Sequence, residues 1–206
     1  MAAAGRYVRR GTVIDSDRDL VSRLQAGDPA AFDAVHAAFH ARLFGFLIRL
    51  SRDRQVAEDL AEETWVRLVA RARRLRDDTQ LAPWLFTVAR NLYVSYCRSR
   101  LIETAHAPAL MTLWPAGSTG PSPYEAAAAS ETERRLEAAL GELPVVYREV
   151  LLLVGVEGLR PAEAAVVCGV TPEALRQRLS RARALLRQRL DGTTGSRQPV
   201  LTEVTP

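Results

Sequence analysis

The stretch PAEAAVVCGVTPEALRQRLSRAR, residues 161–183, sets the reading of the whole chain. Pro161 to Val167 has the length and small apolar content of a short helix, and Cys168, Gly169 and Val170 interrupt it. Thr171 then stands as an N-cap, with Pro172 at the first helical position, where the missing N–H is no loss and the fixed φ is already helical. Glu173 places negative charge in that first turn, favourable to the helix dipole. Gly169 fits a tight turn between paired helices. Ala164, Ala165, Val170, Leu175 and Leu179 supply the small apolar interface. This is the grammar of a helix-turn-helix.

The second helix carries Arg176, Arg178, Arg181, Arg183, Arg187 and Arg189, with Leu175, Leu179, Ala182 and Leu186 as the inward stripe. Glu173 is the only acid within 172–190, so the outer face is strongly positive. A basic helix after such a turn suits the DNA major groove, with residues near its N-terminus reaching base edges. A solvated charged helix in a bundle would show the same arginines.

Working outward, the block from about 126 to 190 reads as four helices, 126–140, 144–154, 161–167 and 172–190. Gly141 and Pro144, then Gly155 and Gly158, then Gly169 mark the breaks. Residues 103–125 are rich in Pro, Gly, Ser, Thr and Ala and read as a flexible linker, with Trp114 unusual in such a segment. The tail 191–206 is polar and reads as frayed.

Residues 17–102 form a second helical block. Helices are expected from Asp17 to Ala26, from Ala30 to Leu50, from Asp53 to about Arg74, and from Pro83 or Trp84 to Arg100. Alternating strand patterns are lacking, so the fold class is all-α: two small helical domains, 17–102 and 126–190, joined by the linker.

The third of these helices bears Glu58, Asp59, Glu62 and Glu63 on one side, with Val56, Ala57, Leu60, Ala61, Trp65, Leu68 and Val69 on the other. That division fits a solvated amphipathic helix and equally an acidic docking patch for a basic partner. The fourth mixes Trp84, Phe86, Tyr93 and Tyr96 with Arg90, Asn91, Arg98 and Arg100. Rings offer stacking planes for unpaired bases, at about 1–3 kcal/mol per contact. Trp84, Leu85 and Val88 suit the core; Tyr93 and Tyr96 fit either role.

Composition narrows the function classes. All 28 basic residues are arginine, for a formal net charge of +4. GC-rich coding produces such a bias, while the planar guanidinium also suits phosphate and guanine. Cys97 and Cys168 form neither a disulfide framework nor a zinc pattern. His36 and His40 have metal-compatible spacing but no third ligand nearby. A Gly-rich phosphate loop and a nucleophile constellation are both missing, so neither enzyme activity nor a metal or other cofactor is expected. The sequence has neither a secretory h-region nor a continuous apolar run of membrane length, so a cytoplasmic protein without membrane insertion is expected.

Two separated runs carry a resemblance. Glu58 to Trp65 (EDLAEETW) and Pro83 to Asn91 (PWLFTVARN) resemble the second region of extracytoplasmic-function (ECF) sigma factors of the sigma-70 superfamily. Leu143-Pro144, Tyr147 to Leu153 (YREVLLL), Glu157-Gly158-Leu159 and Arg176 to Arg183 (RQRLSRAR) resemble the fourth region. The likeness covers about 17–102 and 126–190 in the family's order.

The resemblance implies a transcription initiation factor with no chemistry of its own. Glu58, Asp59, Glu62 and Glu63 would dock on the β′ clamp of core RNA polymerase, and the fourth region on its β flap. Arg90, Asn91, Tyr93, Ser95, Tyr96 and Arg98, with the Arg71–Gln80 loop, would bind the −10 element and capture a flipped base. Thr171, Glu173, Arg176, Gln177, Arg178, Ser180 and Arg181 would read −35. The linker would thread toward the polymerase channels, and an anti-sigma factor is an expected partner. Glu62 stands where the family usually has Gln, Leu81 for a common Phe, Ser95 for a frequent acid and Ser180 for a larger residue. These departures leave the class intact and bear on promoter sequence. A sigma-like decoy or a helix-turn-helix repressor are the competing readings.

Overall fold

The computed structural model describes residues 13–105 and 130–194, which form eight α-helices and no strand. Helix α1 (Val13–Gln25) turns at Gly27 into α2 (Pro29–Ser51). Asp28 caps α2, its carboxylate accepting from the Ala30 N–H at 2.9 Å, with Pro29 at the first turn as expected of that residue. Ala31, Val35, Phe39, Leu43, Phe46, Leu47 and Leu50 are its buried stripe. By length and a mean hydropathy of 1.2, α2 is long and apolar enough to cross a membrane. The stripe accounts for that character, because these residues pack against the other helices as core.

Helix α3 (Arg54–Arg71) starts on Asp53, which accepts from the Val56 N–H at 3.1 Å. Its last turn tightens to a 3₁₀ turn, Ala72–Arg74, where a continuous helix was expected. Helix α4 (Leu81–Ala105) begins two residues before Pro83 and runs past the expected linker boundary at 103. Its first N–H, on Leu81, donates to the Asp17 carboxylate of α1 at 3.3 Å. Burial raises the Asp17 pKa, by more than this bond lowers it. Phe46 and Phe86 meet edge to face at 5.3 Å in the centre of this half.

In the second half, α5 (Glu131–Glu142) opens with a reciprocal capping box between Ser130 and Glu133. Gly141 lies inside α5 rather than breaking it. Helix α6 (Val145–Leu151) widens into a π-helical turn, Leu152–Val156, where one helix to 154 was expected. Helices α7 (Pro161–Cys168) and α8 (Pro172–Thr194) follow, with α8 packed across α5, α6 and α7. The expected linker from 106 on, Trp114, the start of the second block at 126 and the tail beyond 194 lie outside the described residues.

The two halves are in contact. Helix α7 lies against α4 and α6 against α2, and the buried apolar residues of both halves form one continuous cluster.

Candidate nucleic-acid interface

The helix-turn-helix forms as its residues dictate. Gly169 adopts φ +65°, the Val170 N–H donates to the Ala165 carbonyl at 3.0 Å, and the Gly169 N–H to Val166 at 3.1 Å. That is a Schellman ending, which requires a left-handed residue where glycine has no Cβ to strain. The Thr171 hydroxyl accepts from the Ala174 N–H at 3.2 Å, completing the N-cap of α8. Leu175, Leu179 and Ala182 are buried. Thr171, Glu173, Arg176, Gln177, Ser180 and Arg181 are exposed and share the N-terminal half of α8; Arg178 is half-buried. Glu173 pairs with Arg176 at 3.4 Å. Val146, Tyr147, Ala174, Gln177, Arg178 and Arg181 line a shallow depression between α6 and α8.

The α4 candidates divide. Asn91, Ser95 and Arg98 are exposed and Tyr96 is half-buried. Tyr93 is 4% exposed, and its hydroxyl donates to the Leu50 carbonyl at 3.3 Å. With Phe86, Ala89 and Leu92 it belongs to the buried stripe, so in this arrangement it is a core residue. Arg90 pairs with Glu149 of α6 at 2.8 Å, a carboxylate only 4% exposed. Beside Glu149 lies Cys168, whose thiol is pushed up to about 12 by burial first and by the Glu149 charge next. The loop before α4 is pinned by Gln25, which donates to the Leu75 carbonyl at 2.7 Å and to Asp77 at 2.9 Å.

In the same half, Glu58, Asp59 and Glu62 are exposed on α3 and Glu63 is half-buried. Glu58 pairs with Arg54 and Glu63 with Arg67, both at 2.8 Å, and Gln55 donates to Asp59 at 2.9 Å. Beside these acids runs a groove of about 930 Å³ lined by Phe32, His36, Phe44, Trp65, Val66 and Val69, among others. His36 stacks on His40 at 4.6 Å and lies 4.7 Å from the Trp65 ring. The buried Trp65 indole N–H finds no acceptor among the described residues. Sequence reasoning did not single out this groove, although Phe32, His36 and His40 recur at helical spacing; Val69, expected on the buried side of α3, is instead exposed with Val66 beside the acids, because α3 turns that edge toward the groove and not toward the core.

Two family models match this chain: sigma-70 region 2 over residues 35–101 and sigma-70 region 4 over residues 133–186. Together they span more than half of it. The chain belongs to the sigma-70 family. Within it, this is a factor of the ECF type. It is 35% identical over 144 residues to the ECF RNA polymerase sigma factor EcfG of Rhodopseudomonas palustris, covering 70% of this chain and 76% of that one. It is 32% identical over 166 residues, or 80% of this chain, to the probable RNA polymerase sigma factor RfaY of Xanthomonas campestris pv. campestris. The chain spans 42% of that relative's length. Among solved structures, the sigma factor RpoE of Bartonella quintana, crystallised with the anti-sigma factor NepR, superposes with a TM-score of 0.66 at 28% identity. That match covers 78% of this chain and 96% of the other. In the sigma factor, then, region 2 lies within α2–α4 and region 4 within α5–α8, while all of α1 and the start of α2 precede the matched segment.

Proposed function

We infer that this sigma factor binds core RNA polymerase and directs it to promoters, acting inside the bacterial cell. The observation that carries this reading is the pairing of two different surfaces on one chain. An exposed acidic face with an apolar groove lies on α3, and an exposed basic recognition helix follows a capped helix-turn-helix turn in α8. Glu58, Asp59, Glu62 and Glu63 serve as the docking patch for the basic helices of the β′ clamp, and region 4 meets the β flap. Asn91, Ser95, Tyr96 and Arg98, with Arg90 once released from Glu149, serve the −10 element. Arg176, Gln177, Arg178, Ser180 and Arg181 serve −35, with Thr171 and Glu173 holding the start of their helix.

A repressor leaves the α3 face without a role, and a decoy has no use for six arginines on α8. Polymerase supplies the catalysis. An anti-sigma factor is an expected further partner, as NepR is for RpoE. The testing experiment mixes the full chain with purified bacterial core polymerase and follows complex formation by size-exclusion chromatography. A one-to-one complex supports the reading; its absence at micromolar concentrations removes it.

A further inference from the structure

Helix α1 grips both ends of the loop that precedes α4. The side-chain amide of Gln25, its last residue, donates to the Leu75 carbonyl at 2.7 Å and to the Asp77 carboxylate at 2.9 Å. Those two bonds use both N–H groups of one amide nitrogen. At the far end of the loop, Asp17 accepts from the Leu81 N–H at 3.3 Å. Leu75 and Leu81 are buried, whereas Arg76, Asp77, Asp78 and Gln80 between them are exposed. Inside the loop the Thr79 N–H donates to the Arg76 carbonyl at 2.9 Å. The Arg76 guanidinium meets both oxygens of Asp78, at 3.0 and 3.2 Å. Gln25 is itself held in place. Val21 and Leu24 of α1 are buried, and Arg23 pairs with Asp28 at 2.8 Å across the turn into α2.

We propose that Gln25 is a positioning residue for promoter recognition, holding residues 75–80 in the shape that receives unpaired bases of the −10 element. The inference rests on the reading of this loop and of α4 as the −10 surface. A loop that orders itself on its ligand loses backbone freedom at the moment of binding, whereas a loop ordered in folding has already met that cost. The neighbouring Arg71, Arg73, Arg74 and Arg76 are exposed and attract phosphate whatever the sequence. Choosing a base needs more, because its edge must meet a partner within hydrogen-bond distance. Gln25 therefore bears on which bases are chosen and not on how much DNA is held. Two features favour this role over a simple tie between helices. One of the two bonds goes to an exposed carboxylate of the loop, and the buried Val21 and Leu24 already anchor α1 without it. Helix α1 precedes the segment matched by the region 2 model, so the −10 surface extends beyond that segment.

The test uses holoenzyme assembled from bacterial core polymerase and the full chain. The probe is fluorescein-labelled single-stranded DNA, read by anisotropy. One strand carries a sequence that wild-type holoenzyme enriches from a randomised pool beyond what core polymerase alone enriches, and the other is a scramble of it. Gln25→Met and Gln25→Glu keep the side chain's length and remove its donor, and Gln25→Lys restores one. The proposal expects the affinity ratio between the strands to fall about tenfold in Gln25→Met and Gln25→Glu, for two lost hydrogen bonds, through weaker binding of the enriched strand alone. Gln25→Lys should recover most of the ratio, since the attraction of its charge for phosphate acts on both strands and cancels. An unchanged ratio in Gln25→Met and Gln25→Glu overturns the proposal. Equal weakening of both strands, which a merely structural role produces, also overturns it. Should these variants fail to fold, hydrogen exchange of the wild-type chain decides. Thr79 and Leu81 amides protected without DNA support a preset loop, and protection that arises only with the probe overturns it. Wild-type holoenzyme that enriches no sequence removes the −10 reading and the positioning role with it, whereas discrimination kept by every variant removes the positioning role alone.

Discussion

The Arg148 guanidinium donates to the Leu50 carbonyl at 3.2 Å, joining residues 98 positions apart. The same side chain donates to Arg49 at 3.3 Å, Leu140 at 3.0 Å, Gly141 at 2.7 Å and Leu143 at 2.9 Å. These carbonyls belong to the C-terminal ends of α2 and α5, which lack intrahelical donors and carry negative partial charge. One cation closes both. Burial first, and the charge of Arg52 next, hold its pKa below the usual guanidinium range.

Arg148→Ala is expected to be strongly destabilising. It removes all five hydrogen bonds donated by one buried cation, a loss of about 3–5 kcal/mol when a charged group's bonds are removed together. Arg148→Lys, with one nitrogen in place of the fork, recovers only part of it. Urea unfolding of both variants checks the order, and equal stability of wild type and Arg148→Ala contradicts it.

Gly169→Ala isolates a backbone effect in the helix-turn-helix. A Cβ there would meet nothing within 4 Å, and φ is +65°. The cost is therefore conformational, about 1–2 kcal/mol, with Gly169→Asn nearer wild type because its side chain tolerates the left-handed region. Thermal melts give the ranking, and a larger loss for Asn than for Ala would refute this account of the turn.

Much of this was legible locally. Gly169, Thr171 and Pro172 announce a turn and a cap within a few residues, and the arginines of α8 show its outer face. Tyr93 was legible in part: Phe86, Ala89 and Tyr93 recur at helical spacing, which places the ring in the core stripe, but interleaved arginines gave it a second reading. The pairs across the two halves had no such signature. Arg90 and Glu149 lie 59 positions apart and Arg42 and Glu157 lie 115 apart, and each is an ordinary surface residue by sequence. Only the packing of α7 on α4 and of α6 on α2 makes them partners. The π turn, which carries the chain toward Glu157, was likewise hidden: Gly155 reads there as the end of a helix, and the apolar residues before it do not distinguish an α from a π turn.

Glu157, which meets Arg42 of the first half, gives the packing of the two halves a pH dependence. Burial raises its carboxyl pKa, outweighing the opposing charges of Arg42 and Arg49, both on α2. A carboxyl whose pKa is raised in the packed arrangement binds its proton more tightly there than when exposed. Its contribution to that packing is full below its ordinary value near 4.5 and is lost as pH rises through the raised value. Acidification from neutral into that window should compact the chain, and Glu157→Gln should remove that component. Scattering radius against pH for both proteins checks it; identical pH profiles contradict it.

Charge reversal on α3 separates docking from folding. Asp59 and Glu62 are exposed, so Asp59→Arg with Glu62→Arg should change stability by no more than about 1 kcal/mol in total. Affinity for core polymerase is expected to fall at least ~tenfold, as like charges now face a basic clamp. Unchanged affinity would place docking elsewhere on the chain.

The central claim, promoter-directed initiation, is tested most directly by run-off transcription with purified bacterial core polymerase, fragmented genomic DNA and this protein, with 5′ ends mapped. The account predicts discrete new starts that share sequence upstream at −10 and −35 and vanish when the protein is left out. Starts indistinguishable from those of core polymerase alone would contradict it.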